Sequence, residues 1–406
     1  MKDRLRRELH EWTGNVRGDV LGGAVSAFSV IPEVIGFTIV AGVAPVLGLY
    51  TSITFLLLMS LFGGRPAMVS AGAGSMAVVV VSLIRDYGLE YLFAAVLLAG
   101  VFQIILGLVR VGNLAKLVPA CVVAGFTDAL AIIIFKAQVN SFLQNLGTEP
   151  SGIVKTLVFL AAGFLVIYLF PRVTKAVPST LVSIAAVTLL SLVLGLFWKG
   201  EVAMISDLGD MTAKWPAFRL PDVGFGWETL KIILPYSVSL AFVGLLETML
   251  TARVVDGMTG TEGRNNRECC AQGLGNIACG LIGAMPGCAM IGQAIANVQS
   301  GGRGRLSTLF SGLLLTGLIV FGAAVLGAIP LAALIAVMVS VSITTFDWKN
   351  LAGMVRDRSR KNVCESAVTV VTVAVTVATD NLALGVASGI VLYLLLRFAL
   401  RPRGGS

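Results

Sequence analysis

The sequence predicts an all-α polytopic membrane protein with fourteen transmembrane segments, arranged as two inverted repeats of seven. Three observations lead there. Of the 406 residues, 56% are hydrophobic and 13% are charged, against about 25% charged in a soluble chain. The mean hydropathy is +0.91. Apolar stretches near the ~20 residues that cross a ~30 Å hydrocarbon core recur along almost the whole chain. An ordinary soluble enzyme is excluded. The single histidine, His10, lies in a charged N-terminal segment, so His-based metal or nucleophilic chemistry has almost no raw material. The six cysteines (121, 269, 270, 279, 288 and 364) follow neither a zinc nor a disulfide spacing and read as small buried residues. No cofactor is expected beyond a coupling ion.

The elements follow in chain order. Residues 1–18, with Lys2, Arg4, Arg6 and Arg7 and no cleavage pattern, form a cytoplasmic N-terminal segment rather than a signal peptide. The first repeat, 19–198, contains segments at 19–43, 47–62, 70–84 (short), 90–109, 118–139, 153–171 and 179–198. Residues 199–228, with Asp207, Asp210, Lys214, Pro216 and Pro221, are an extracellular or periplasmic connector. The second repeat, 229–400, contains segments at 229–256, 270–284, 287–299 (short), 306–329, 330–345, 363–379 and 382–400. Residues 401–406 are a short cytoplasmic tail.

With this count both termini lie on one side, and most of the 30 Lys and Arg fall there, including Arg65, Arg172, Arg264, Arg303, Arg305 and the Arg356 to Lys361 cluster. The positive-inside rule makes that side the cytoplasm and the location the inner cell membrane. An odd number of spans per half orients the halves oppositely, as in many secondary transporters. The basic residues are scattered between spans rather than grouped on one polar face, so nucleic acid is not an expected partner. The expected partners are the bilayer and a small anion, and a homodimer is left open.

The two short segments carry the site prediction. The third begins GGRPAMVSAGAGSMAVVVV and the tenth GAMPGCAMIGQAIANV; each has a proline followed by small residues and holds third place in its half. A helix that starts in mid-membrane presents unpaired N–H groups and a partial positive charge. Two such half-helices meeting head to head make an anion site without a charged side chain. The candidate substrate-binding residues are Ser70, Gly72, Ala73, Gly74 and Ser75 on one side, and Cys288, Ala289, Met290, Ile291 and Gln293 on the other.

Ionisable residues inside spans are costly and mark functional positions. Glu33, just after Pro32, and Glu247, in the eighth segment, occupy corresponding elements of the two halves. Each can carry a proton or bind a cation. Thr251 shares the helical face of Glu247, so the pair could hold sodium; a proton is the simpler coupling ion. Asp128 is a weaker candidate, two turns from Lys136.

The runs DVLGGAVSAFSVIPEVIGFTIVAGVAPVLGLY and FGGRPAMVSAGAGSMA resemble the start of SulP-type anion transporters. PYSVSLAFVGLLETMLTARVVDGMTGTEGRNNRECCAQGLGN and GCAMIGQAIANVQSGGRGRLSTL resemble their second half. The resemblance covers residues 15 to 400. It implies a fourteen-segment fold in which a core domain moves against a gate domain, transporting sulfate, bicarbonate or dicarboxylates bound between the third and tenth segments. It also implies proton coupling at Glu33 and a cation position at Glu247 and Thr251. The chain departs from the pattern at Ala73 and Ile291, where threonines would serve a sodium-coupled member, and at Asp128, where a neutral residue is expected. A STAS domain commonly follows the last span in this family, whereas this sequence stops at RPRGGS. A nucleobase transporter of the same fold and a passive anion channel are the competing readings.

Overall fold

The computed structural model describes residues 9–112, 118–146, 149–174, 178–197, 201–208, 217–224, 226–356, 359–379 and 381–399. Lys2, Arg4, Arg6, Arg7, Asp210, Lys214, Pro216 and the tail 401–406 lie outside them.

The first half runs α1 (Val16–Ala41), α2 (Pro45–Phe62), β1 (Ser70–Gly72), α3 (Gly74–Tyr87), α4 (Leu89–Leu108), α5 (Ala120–Gln144), α6 (Pro150–Leu169) and α7 (Ser179–Phe197). The second runs α8 (Trp227–Thr259), α9 (Asn265–Leu281), β2 (Gly287–Ala289), α10 (Ile291–Gln299), α11 (Arg305–Gly327), α12 (Leu331–Thr345), α13 (Trp348–Arg356), α14 (Arg360–Thr379) and α15 (Leu382–Ala399). Among the described residues, eight helices are long and apolar enough to cross a membrane: α1, α2, α4, α5, α6, α8, α11 and α14. The pair α12 and α13, bent by 41°, makes a ninth, and α7 and α15 are shorter apolar helices. This is a mostly helical polytopic membrane fold.

Helix starts follow local chemistry. Pro45 and Pro150 sit in the first turns of α2 and α6, where the missing N–H costs nothing. Gly42 ends α1 at φ 73°, a left-handed conformation that glycine adopts without strain. In lipid, association depends on close packing rather than on burial from water, and α4 and α9 meet along small residues. A Cβ on Gly100 would lie 2.5 Å from the Gly273 carbonyl, and one on Gly280 would lie 2.8 Å from the Phe93 carbonyl.

One end of the bundle is tied by charge. The buried Asp19 carboxylate of α1 accepts from the backbone N–H of Arg303 (2.7 Å) and Gly304 (2.9 Å), which open α11. Arg305 bonds Glu11 (2.7 Å) and donates to the carbonyls of Ser60 and Gly63 at the end of α2. Glu268 accepts from the N–H of Gly64 and Arg65, and Arg65 pairs with Asp256 at 2.8 Å. Asp19, Arg65, Glu268 and Arg305 thus clamp α1, α2, α8, α9 and α11 into one unit.

Two features depart from the sequence reading. The all-α expectation misses β1 and β2, three residues each. Backbone leading into a half-helix is extended and must find partners inside the protein, because lipid offers none. Residues 346–362 read as a basic loop, yet α13 forms there with Trp348 and Leu351 exposed. Nine residues give too few turns for helical periodicity to stand out.

Candidate functional site

The loops preceding α3 and α10 pair with each other as an antiparallel ribbon, Ser70 opposite Ala289, Ala71 opposite Cys288 and Gly72 opposite Gly287. The Met290 N–H extends it by bonding the Val69 carbonyl at 2.9 Å. Antiparallel pairing sends the two chains apart, so the helices that follow point in opposite directions from adjacent starts. Contacts along α1 agree. Gly74, at the start of α3, packs on Phe37, and later residues of α3 share a cavity wall with Ile39 to Ala44. In α10, Gln293 reaches the Glu33 carboxylate, whereas Asn297 packs on Gly22, far towards the start of α1.

Both helix starts lack a side-chain cap. The N-cap residues are Ala73 and Met290, and neither makes a capping bond. The first-turn N–H groups of Gly74, Ser75, Ile291, Gly292 and Gln293 have no intrahelical acceptor. Gly292 is exposed, and a Cβ added to it would meet no atom within 4 Å. Open space therefore adjoins the start of α10, next to partly exposed Glu33 and Ile291.

Glu247 reaches this place from α8. Its carboxylate accepts from the Ser75 hydroxyl and from Cys288 Sγ at 3.2 Å, so it touches the start of α3 and the strand before α10 together. Thr251 donates to the Glu247 carbonyl at 2.9 Å and approaches the Ala289 carbonyl at 3.5 Å. Asp128 lies elsewhere, accepting from the Asp347 N–H at 2.7 Å.

Several predicted ligands are already engaged within the protein. The Met290 N–H is held by Val69, the Ala289 N–H by Thr248 Oγ1 at 3.3 Å, and the Gly72 N–H by Ser52 Oγ at 3.4 Å. Ser70 is fully buried and its hydroxyl accepts from Gln272 Nε2 at 2.8 Å. Ribbon pairing at Met290 and side chains from α2, α8 and α9 consume these groups, so the N–H donors left unbonded lie one to three residues later, inside the helices. The sequence reading also missed the braces. Asn276 bonds both the N–H (3.0 Å) and the carbonyl (3.1 Å) of Gly287 while donating to Gln103 at 2.9 Å, and Thr51 donates to the Met285 carbonyl at 2.7 Å. Amides such as Gln103, Gln272 and Asn276 inside apolar spans were the available signal.

The chain matches a family model described as Sulfate permease family over residues 16–165 and 154–372. The chain belongs to the sulfate permease family. A sulfate permease relative from Bacillus subtilis, YbaR, which carries a sulfate-transporter name, is 47% identical over 382 residues, covering 94% of this chain and 77% of YbaR. The bicarbonate transporter BicA of Picosynechococcus is 31% identical, covering 83% of this chain and 63% of BicA. Among solved structures, the transmembrane domain of a cyanobacterial BicA superposes with TM-score 0.77 at 28% identity, covering 92% of this chain and 97% of that one. SLC26A9 shares the fold, with TM-score 0.81 at 19% identity over 96% of this chain and 66% of that one. This sulfate permease chain is thus a multi-pass membrane transporter and not an enzyme.

Proposed function

We propose that the protein is a secondary active transporter of small oxyanions, of the sulfate, bicarbonate or dicarboxylate class, coupled to protons. The observation that carries this is the pair of uncapped helix starts, α3 and α10, pinned head to head by the β1–β2 ribbon. Their adjacent positive dipole ends and free first-turn N–H groups favour an anion over a cation or a neutral ring. Gly74, Ser75, Ile291, Gly292 and Gln293 would hold it.

Coupling follows from Glu247, hydrogen-bonded to Ser75 and Cys288. An ionised Glu247 and a bound anion would repel each other at this distance, so anion and proton bind together more favourably than either alone, and the effect is reciprocal. Glu33, beside Gln293, is the second proton candidate. A sodium site at Glu247 and Thr251 is the weaker alternative, because Ala73 and Ile291 offer no hydroxyl to complete it.

The fourteen-segment, seven-plus-seven arrangement belongs to the same proposal, with α13 as an interfacial helix outside the count. A core containing α1, α3, α8 and α10 would rock against α5 to α7 and α12 to α15 with both termini in the cytoplasm, giving alternating access. The test is uptake of labelled sulfate, bicarbonate, fumarate and uracil into proteoliposomes, with and without proton and sodium gradients. Glu33→Gln and Glu247→Gln are compared with the unchanged chain. Anion accumulation driven by a proton gradient and lost in Glu247→Gln is expected. Full gradient-driven uptake in both variants overturns the coupling, and uptake of uracil without anions overturns the substrate class.

A further inference from the structure

We infer that α13 docks on the membrane surface as an anionic-lipid anchor, with Trp348 and Leu351 entering the upper acyl region and Lys349 and Arg356 binding negatively charged phospholipid headgroups. The membrane-spanning fold alone underlies this, independent of the transported substrate.

Location says what covers the helix. α13 follows α12, with which it makes the bent pair, and precedes α14, whose apolar span begins at Asn362. Only a short connection separates Arg356, the last residue of α13, from that span. The nine residues of α13 therefore end where the chain re-enters the bilayer, and the surface beside them is lipid.

The helix also presents the wrong side for water. At 3.6 residues per turn, Trp348, Leu351 and Ala352 share one side, and all three are exposed. Trp348 is 57% and Leu351 42% exposed. The side turned to the protein is polar instead: Asn350 is half-buried, and Asn362 Nδ2 donates to the Gly353 carbonyl at 3.1 Å. A surface helix of a soluble protein turns its apolar stripe inward, whereas one lying in the membrane interface turns it outward. Trp348 is held in that outward position. Its indole N–H donates to the Ile343 carbonyl at 2.8 Å, and its ring centroid lies 4.8 Å from that of Phe346. An amphipathic ring fixed at this depth matches the headgroup level, where tryptophan is favoured.

Charge selects the kind of lipid. Lys349 and Arg356 are two turns apart on the flank of the apolar side and both are exposed. Neither has a hydrogen-bond or ion-pair partner among the described residues. Residues 346–362 carry five basic and two acidic side chains. One of the acids, Asp347, is turned to the backbone, accepting from the Asn350 N–H at 3.0 Å. Long basic side chains beside a buried apolar stripe reach out to phosphates, and each is worth about a factor of five towards a negatively charged leaflet.

The anchor bears on more than α13. The Asp347 N–H donates to Asp128 Oδ1 of α5 at 2.7 Å, and Ser342 Oγ of α12 donates to the Ala131 carbonyl of α5 at 2.8 Å. A leaflet that holds α13 thus also holds the elbow joining α12 to α5. In the rocking proposed above, these helices form the side against which α1, α3, α8 and α10 move.

The experiment uses a full-length chain in which Trp348 is the only tryptophan, the other four, Trp12, Trp198, Trp215 and Trp227, being replaced by phenylalanine. It is reconstituted into vesicles of phosphatidylcholine and phosphatidylglycerol with bromine on the acyl chains of one lipid or the other, and quenching of Trp348 fluorescence is read. At low ionic strength, phosphatidylglycerol is expected to be enriched about fivefold or more around Trp348, and high salt should reduce the enrichment. Lys349→Gln combined with Arg356→Gln should abolish it, and Lys349→Arg with Arg356→Lys should keep it. A second measurement uses the unchanged tryptophans: phosphatidylglycerol should raise the melting temperature in detergent more than phosphatidylcholine does, and the double Gln variant should lose that difference without melting lower in detergent alone. Equal quenching by the two lipids at low salt, or full enrichment in the double Gln variant, overturns the anionic-lipid anchor. No quenching by either lipid places Trp348 away from the bilayer and overturns the docking itself. None of these readouts requires transport, so failure of anion uptake leaves the anchor standing.

Discussion

Replacing Gly292 by aspartate separates the anion-site reading from a purely structural one. Gly292 lies in the first turn of α10, is exposed, and has no atom within 4 Å of the position a Cβ would take. Its φ is not in the left-handed region, so a side chain fits without steric or backbone strain. A carboxylate in the first turn interacts favourably with the helix dipole by about 0.3–1 kcal/mol, and removal of a helical glycine contributes a further ~0.5–1 kcal/mol. Gly292→Asp is therefore expected to melt in detergent at or above the temperature of the unchanged protein. A transported anion fares differently. A fixed carboxylate about 5 Å from it, at an effective dielectric near 20, repels it by about 3 kcal/mol, about a hundredfold in affinity. The assay is the KM for anion uptake, with Gly292→Asn as the neutral control of equal shape. Wild-type KM in a folded Gly292→Asp protein, or equal loss in the Asp and Asn variants, refutes the anion site at α10.

Three further outcomes test the scaffold. Gly287→Ala places a Cβ 2.6 Å from the Ala71 carbonyl and 2.7 Å from the Phe55 ring, and should cost about 1–3 kcal/mol, seen as a lowered melting temperature. Asn276→Leu strips Gly287 of both backbone partners. It is expected to destabilise by about 1–3 kcal/mol and to raise KM through the loosened ribbon, whereas a lower stability with unchanged KM would show that the brace does not position the site. Asp19→Ala leaves the N–H groups of Arg303 and Gly304 unpaired at the start of α11. It should cost about 2–3 kcal/mol with little change in KM, measured by melting and by uptake.

Most of the helices were legible because their signal is local. Twenty apolar residues must be a helix in lipid, whatever their neighbours, since every backbone group has to be satisfied within the segment. Predicted and observed bounds lie close, with the larger shifts at α9, which begins at Asn265 rather than 270, and at α5, which runs to Gln144 rather than 139. The two short helices α3 and α10 were legible for a related reason. Pro66 and Pro286, each followed by small residues at matching places, mark a break that no ordinary span tolerates.

The finer design of the site was not legible, because it depends on contacts between residues at least 41 positions apart in the chain. Met290 and Ala289 looked equivalent to Ile291 as sources of free N–H groups, yet Val69 and Thr248 hold the first two. Ser70 looked like a ligand and instead receives Gln272 from α9. Glu247 was singled out as costly, but nothing in its own helix says that Ser75 and Cys288 would meet on it. The sequence by itself determined a polytopic helical membrane protein, two broken segments and the carboxylates worth testing, because hydropathy, proline and buried charge act residue by residue. The tertiary structure alone decided which donors remain for a substrate. A backbone N–H is free only when no other part of the chain has reached it, and that is settled by the antiparallel ribbon together with the side chains that reach it from α2 and α8.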